Sequence, residues 1–308
     1  MKPLVVSVPG EMELAEQLAR SIDGDLAEME VRSFPDGETY VRIDSAVQGR
    51  DVVVAASLDR PNQKLLPLIY VAETARDLDA RQVGLAAPYL AYMRQDARFR
   101  AGEGVTSHYF GRLLSEVFDW LVTVEPHLHR HSALADIYSI PSRVVRATRP
   151  IADWIEEKID DPVLVGPDEE SAQWVSSVAE AGGFPTMILE KVRRGDYDVE
   201  VVDYGATVDT GRQPVLLDDI VSTGRTMLEA VRYLDELGMS APVCIGIHGL
   251  FIDDALHEMA AAGVAEIVTC NTIDHETNAI DIRGQLATVV QSMVGGDASF
   301  ARVPGGSI

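Results

Sequence analysis

The amino-acid sequence predicts an α/β protein of two halves, each a mostly parallel sheet flanked by helices. Apolar runs of strand length alternate with segments of helical period, which is the pattern of a repeated strand-helix unit. The alternation is carried through one half, restarts after a helix-like stretch near residue 147, and continues through the other. With 308 residues, 46% of them hydrophobic, the chain has enough apolar material for two ordinary domains.

In order, Leu4 to Val8 predicts a strand, Glu11 to Arg20 a helix, Val52 to Ser57 a strand, Lys64 to Leu78 a helix and Val83 to Pro88 a strand. Ala147 to Ile159 predicts the helix that opens the second half, so the expected domains are 1–146 and 147–308. Strands follow at Val163 to Gly166, Thr186 to Leu189, Val215 to Leu217, Val243 to Gly249 and Ile267 to Cys270. Helices are expected between them at Ser171 to Ala181, Thr226 to Leu237 and Asp253 to Ala262. The glycine- and serine-bearing tail from about residue 295 is expected to be flexible.

A formal charge of -23 and the lack of a basic stripe argue against a nucleic-acid partner and leave small anions or protein as candidates. Lysine occurs only at Lys2, Lys64, Lys158 and Lys191, while acids are spread along every segment, a composition resembling that of salt-adapted proteins. The plainer alternative is an ordinary acidic surface that keeps the protein soluble. The apolar runs are too short to span a bilayer, and Met1 to Gly10 lacks the basic flank of a signal peptide, so a cytoplasmic protein is expected. Cys244 and Cys270 sit in strand-like runs and read as buried thiols.

Open α/β sheets bind ligands beyond the carboxyl ends of their strands, and several such ends carry chemistry. In Val215 to Thr226 an apolar strand meets two acids, Asp218 and Asp219, then a Ser222-Thr223-Gly224 turn opening a helix. Backbone N–H groups and hydroxyls at a helix N-terminus can cradle a phosphate, and the acids can accept hydrogen bonds from sugar hydroxyls. A plain capped turn is the alternative, but two adjacent acids ending a buried strand are costly without partners. Arg94, Arg98 and Arg100 form a basic cluster suited to polyphosphate. His127, His129 and His131 alternate after a strand, pointing to a metal or phosphate role. Asp36-Gly37 is by itself a hairpin signal.

Two of these segments resemble known families. Asp218 to Thr226 resembles the ribose-phosphate loop of the phosphoribosyltransferase fold, and Pro88-Tyr89-Leu90-Ala91-Tyr92-Met93-Arg94-Gln95-Asp96 resembles a stretch of ribose-phosphate diphosphokinases that nucleobase phosphoribosyltransferases lack. The resemblance runs in family order from Val5 to about Ile282. It implies two phosphoribosyltransferase-like domains and Mg²⁺-dependent transfer of the diphosphoryl group of ATP to the C1 hydroxyl of ribose 5-phosphate, releasing AMP. It also implies roles residue by residue. Arg94 and Gln95 contact ATP, while Phe34, Asp36, Gly37 and Glu38 reach an adenine from a neighbouring subunit, which implies a homo-oligomer with a shared site. His127 lies by the metal and the ATP phosphates, and Asp168, at the end of Val163 to Pro167, serves the metal. Lys191 and Arg193 stabilise the transferring group, and ribose 5-phosphate is held by Arg193, Asp218, Asp219, Ser222, Thr223, Gly224, Arg225 and Thr226.

The chain departs from the family in three places. Glu125 stands where the family usually has aspartate, Glu169-Glu170-Ser171 replaces a common glycine pair, and Ser222 replaces an aspartate of many bacterial members. The negative charge of the two glutamates would repel a phosphate at that loop; the alternative is that they point outward beside a helix start. Neither Gly-x-x-x-x-Gly-Lys-Ser/Thr nor Gly-x-Gly-x-x-Gly occurs, so ATP requires another cradle. A catalytically silent regulatory relative is the first alternative, opposed by the retention of Lys191, Arg193, His127, Asp168 and both loop aspartates. A metal-dependent hydrolase is the second, prompted by His127-Leu128-His129 but lacking further strand-end ligands.

Overall fold

The computed structural model describes residues 1–194, 198–203 and 210–296, with the backbone alone described at 190–194 and 198–203. It divides into two compact units, residues 1–145 with 283 onward, and residues 146–282.

In the first unit the chain runs β1 (Leu4–Ser7), α1 (Met12–Ser21), β2 (Asp25–Leu26), β3 (Met29–Ser33), β4 (Thr39–Ile43), β5 (Asp51–Ala55), α2 (Pro61–Asp77), β6 (Gln82–Ala87), α3 (Thr106–Val117), β7 (Trp120–Val124) and β8 (Ser142–Val145). Six strands form a parallel sheet in the order β2-β1-β5-β6-β7-β8. Every residue of β1, β5, β6 and β7 is buried, as expected of strands covered on both faces, and this is why they are mostly apolar. Gly84 pairs with Trp120 in this sheet, and a Cβ at Gly84 would lie inside the indole. The order reverses between β1 and β5. That crevice is filled by the chain itself: Lys64 donates to the Glu11 and Asp59 carboxylates and to the Ser57 carbonyl (2.9 Å), while Ser57 N–H donates to Glu11 (3.0 Å). β3 and β4 stand apart as an antiparallel hairpin.

The second unit runs α4 (Thr148–Lys158), β9 (Pro162–Gly166), α5 (Ala172–Gly182), β10 (Thr186–Arg194), β11 (Asp198–Asp203), β12 (Gln213–Val221), α6 (Arg225–Glu236), β13 (Val243–Gly249), α7 (Ala255–Ala261), β14 (Glu266–Cys270) and β15 (Asn278–Ile280). Its sheet has the order β11-β10-β9-β12-β13-β14-β15, parallel except for the antiparallel β10–β11 pair. Val163, Val165, Leu216, Cys244 and the inner face of α6 (Met227, Val231, Leu234) share one core, and both cysteines are buried free thiols. Here the order reverses between β9 and β12, which brings the ends of those two strands to the position where such sheets bind ligands.

The chain then forms α8 (Arg283–Met293), which packs on β7, β8 and α1. The expected boundary at 146/147 lies within one residue of the observed division, but assigning everything from 147 to 308 to the second half needs correcting. Residues from 283 belong with the first unit: Gly295 N–H donates to Asp51 (2.9 Å) and Gln82 Nε2 to the Met293 carbonyl (3.4 Å). The tail expected to be flexible lies, from residue 297, outside the described residues. Among the described residues no helix is long and apolar enough to cross a membrane.

Candidate active site

In the second unit, β12 does not stop at Leu217 as its apolar run suggests. It continues through both acids to Val221 because β13 pairs with it throughout, Asp218 opposite Gly246 and Ile220 opposite His248. Asp219 is buried, and its N–H donates to the Asp218 carboxylate (2.9 Å). The Asp218 carboxyl is held well above the ordinary carboxylate range, first by burial and then by the negative charges of Asp219 and Asp168. Asp168, just past β9, and Asp218 and Asp219 of β12 are therefore close enough, at the carboxyl ends of two central strands, for their charges to interact. Such a group is stable only when it gains cations or hydrogen-bond donors, and an oxygen-rich cluster suits a hard divalent cation.

The cradle follows directly. Ser222 and Thr223 form a bend, Gly224 sits at φ +68° ahead of α6, and Leu228 N–H donates to the Gly224 carbonyl (2.8 Å). Only glycine takes this left-handed conformation without strain, and a Cβ would also press on Met259 at 3.1 and 3.2 Å. The turn is braced from behind: Leu250 and Phe251 N–H both donate to the Val221 carbonyl (2.9 and 3.1 Å), and Ile252 N–H to that of Ser222 (3.0 Å). This support, supplied by the segment after β13, has no sequence signature. The side chains of Ser222, Thr223, Arg225 and Thr226 make no hydrogen bond or ion pair with described residues, which leaves them available at a helix N-terminus to a phosphate.

Asp168 lies just past β9, and Ser171 N–H donates to its Oδ1 (3.0 Å) at the start of α5. Glu169 and Glu170 are exposed. Lys191 and Arg193 lie two residues apart on β10, opposite Val201 and Val199 of β11, and their side chains lie outside the described residues. β10 runs five residues beyond the expected Leu189.

In the first unit Phe34, Asp36, Gly37 and Glu38 form the exposed turn of the β3–β4 hairpin. Phe34 N–H donates to the Glu38 carbonyl (2.7 Å), Glu38 N–H to Asp36 (3.1 Å), and Gly37 takes φ +94°. The Arg32 guanidinium lies over the rings of Phe34 (4.9 Å) and Tyr40 (4.4 Å), which stiffens the exposed tip. Arg94 is exposed just beyond β6, and Gln95 donates to the Ala97 carbonyl (3.1 Å). Tyr92 at φ +61° and hydrogen-bonded to Asn62 shapes the approach. No carboxylate among the described residues pairs with Arg94, Arg98 or Arg100. His127 follows β7 and packs edge-on against His129, ring centroids 3.9 Å apart, while His131 lies beside His108 (5.4 Å). Sequence reasoning missed Arg130, which pairs with the buried Asp96.

The strand carrying two adjacent acids, the hydroxyl-bearing turn and the helix N-terminus at the point of strand reversal define a transferase of the phosphoribosyltransferase type. The family model for the N-terminal domain of ribose phosphate pyrophosphokinase matches residues 4–117, and that for the phosphoribosyl transferase domain matches 135–286. A ribose-phosphate pyrophosphokinase of Methanothermobacter thermautotrophicus is 31% identical over 289 residues, spanning 94% of this chain and 100% of that protein. One from Saccharolobus solfataricus is 33% identical over 278 residues, 88% of this chain and 94% of the relative. The crystal structure of phosphoribosylpyrophosphate synthetase from Mycobacterium smegmatis matches with a TM-score of 0.84 at 26% identity, covering 95% of this chain and 99% of that one. The chain belongs to the ribose-phosphate pyrophosphokinase family and is an enzyme of that class.

Proposed function

We propose that the enzyme transfers the diphosphoryl group of ATP to the C1 hydroxyl of ribose 5-phosphate, giving 5-phosphoribosyl 1-diphosphate and AMP, with Mg²⁺ as cofactor. The observation that carries this reading is the turn from Ser222 to Thr226, whose hydroxyls are uncommitted at the start of α6 and which follows the Asp218–Asp219 pair after two intervening residues. The sugar phosphate binds that turn, and the ribose hydroxyls donate to the two aspartates. Those donors favour the charged form of Asp218, which burial opposes in the absence of substrate.

Arg94 and Gln95 hold the ATP polyphosphate, with His127 beside it. The β-phosphorus forms a bond to the sugar O1 as its bond to the α–β bridging oxygen breaks, and AMP leaves. Bound Mg²⁺ would supply charge neutralisation, with His127 and Asp168 as its candidate ligands; the carboxylate cluster of Asp168, Asp218 and Asp219 fits such an ion. Lys191 and Arg193 act on the same developing charge, and catalysis is chiefly positioning plus electrostatics. Phe34, Asp36 and Glu38, on an exposed and stiffened hairpin tip, serve an adenine site shared with a second copy in a homo-oligomer.

ATP labelled at the β-phosphorus tests the reaction. Label recovered in the sugar product supports diphosphoryl transfer, and label retained in nucleotide overturns it.

A further inference from the structure

We infer that Arg130 and Asp96 are positioning residues that hold the Arg94–Gln95 segment and the His127 loop in one arrangement for the nucleotide. The inference rests on the reading of those three residues as ATP contacts and adds two groups that act through them.

Asp96 follows Gln95 directly, and its side chain is fully buried. A carboxylate withdrawn from water costs several kcal/mol of solvation unless it is paired. Its Oδ1 accepts a hydrogen bond from the Arg130 guanidinium at 2.8 Å, and Oδ2 has no hydrogen-bond partner among the described residues. Among the described residues the one ion pair of Asp96 is thus with a residue three positions after His127, in the loop that follows β7. A pair with one buried partner is a poor source of stability but an effective way of fixing register, because every misplacement of either loop leaves the buried carboxylate unpaired.

Arg130 reaches further along the same segment. Its guanidinium lies over the ring of Phe99 at 5.1 Å. The turn beyond is closed by Glu103, which accepts from the N–H groups of Phe99 (2.8 Å) and Arg100 (2.9 Å). On the other side Ser107 N–H donates to the Gln95 carbonyl (3.3 Å), and the neighbouring His108 ring meets His131 at 5.4 Å. The Arg94–Gln95 pair is therefore bracketed by contacts that converge on the 130–131 step. Arg130 itself is half exposed, so its replacement opens no cavity in the core, although it leaves the Asp96 carboxylate without its ion pair.

The test measures Mg-ATP affinity by isothermal titration, and KM for both substrates, in the wild-type enzyme, Arg130→Gln, Arg130→Lys and Phe99→Ala. Positioning predicts that Arg130→Gln weakens Mg-ATP binding by about tenfold or more, the size seen when groups that orient a binding residue are removed. KM for ribose 5-phosphate stays within about twofold, Arg130→Lys recovers most of the affinity, and Phe99→Ala shows a smaller loss of the same kind. Unchanged Mg-ATP affinity in Arg130→Gln overturns the inference, as does an equal loss for both substrates with a lowered melting temperature, which marks a purely structural pair. A wild-type protein that binds Mg-ATP without forming product defeats the proposed reaction, while the affinity comparison still decides the role of Arg130.

Discussion

Replacing Gly224 by alanine isolates the ribose-phosphate cradle from the rest of the molecule. Gly224 sits at φ +68°, where an L-residue pays about 1–2 kcal/mol. The new Cβ lies 3.1 Å from the Met259 sulfur and 3.2 Å from its Cγ, a close approach that the flexible thioether relieves at a cost of a few tenths of a kcal/mol. The total is about 2 kcal/mol, equivalent to roughly a thirtyfold change in an equilibrium constant. If the turn keeps its shape, that cost is read as lost stability, a fall of about 4–8 °C in melting temperature. If the turn relaxes instead, the N–H groups ahead of α6 swing off the phosphate, and KM for ribose 5-phosphate rises by up to about thirtyfold with KM for ATP unchanged. Thermal melting and steady-state kinetics with each substrate varied in turn distinguish the two. A variant with wild-type stability and wild-type KM for ribose 5-phosphate refutes the role assigned to this turn.

Three other perturbations follow from the same structure. Lys191→Ala should lower kcat by on the order of 10² with little change in unfolding midpoint, as removal of a transition-state charge contact does; an unchanged turnover number removes Lys191 from the mechanism. Lys64→Met should destabilise the protein by about 3 kcal/mol, since it strands the Glu11 and Asp59 carboxylates in a largely buried site, and urea unfolding showing a loss below about 1 kcal/mol would contradict that. Asp218 retains its proton in the folded state above the pH at which the unfolded chain releases it, so stability is lost as pH rises through that interval. Asp218→Asn should therefore stabilise the substrate-free protein at pH 7, with the gain vanishing below about pH 4, the ordinary carboxylate range; an undiminished gain in acid would show that charge is not the cause.

What the residues announced and what they concealed have physical reasons. The central strands were legible because β1, β5, β9 and β13 are covered on both faces and so apolar at most steps. Asp218 and Asp219 looked like a strand end, whereas pairing with β13, where Gly246 leaves room, carries β12 two residues past them. Nothing in the α8 sequence says which unit it covers, since an amphipathic helix records that it has a partner and not which one. The turn from Ser222 to the start of α6 was readable because glycine, hydroxyls and helix start are all local. The brace from Leu250, Phe251 and Ile252 was not, because it consists of backbone donors that any sequence could supply. Asp96 and Arg130 are 34 positions apart, and only the fold shows that one neutralises the other.

Incubating the purified enzyme with Mg-ATP and ribose 5-phosphate at low and at molar KCl, and following phosphorus-containing products by ³¹P NMR, tests the diphosphoryl transfer itself. AMP and phosphoribosyl diphosphate are expected in equal amounts, with turnover favoured at molar salt if the acidic surface is a salt adaptation. A folded protein that forms neither product at either salt concentration, or that releases ADP in place of AMP, would contradict that transfer.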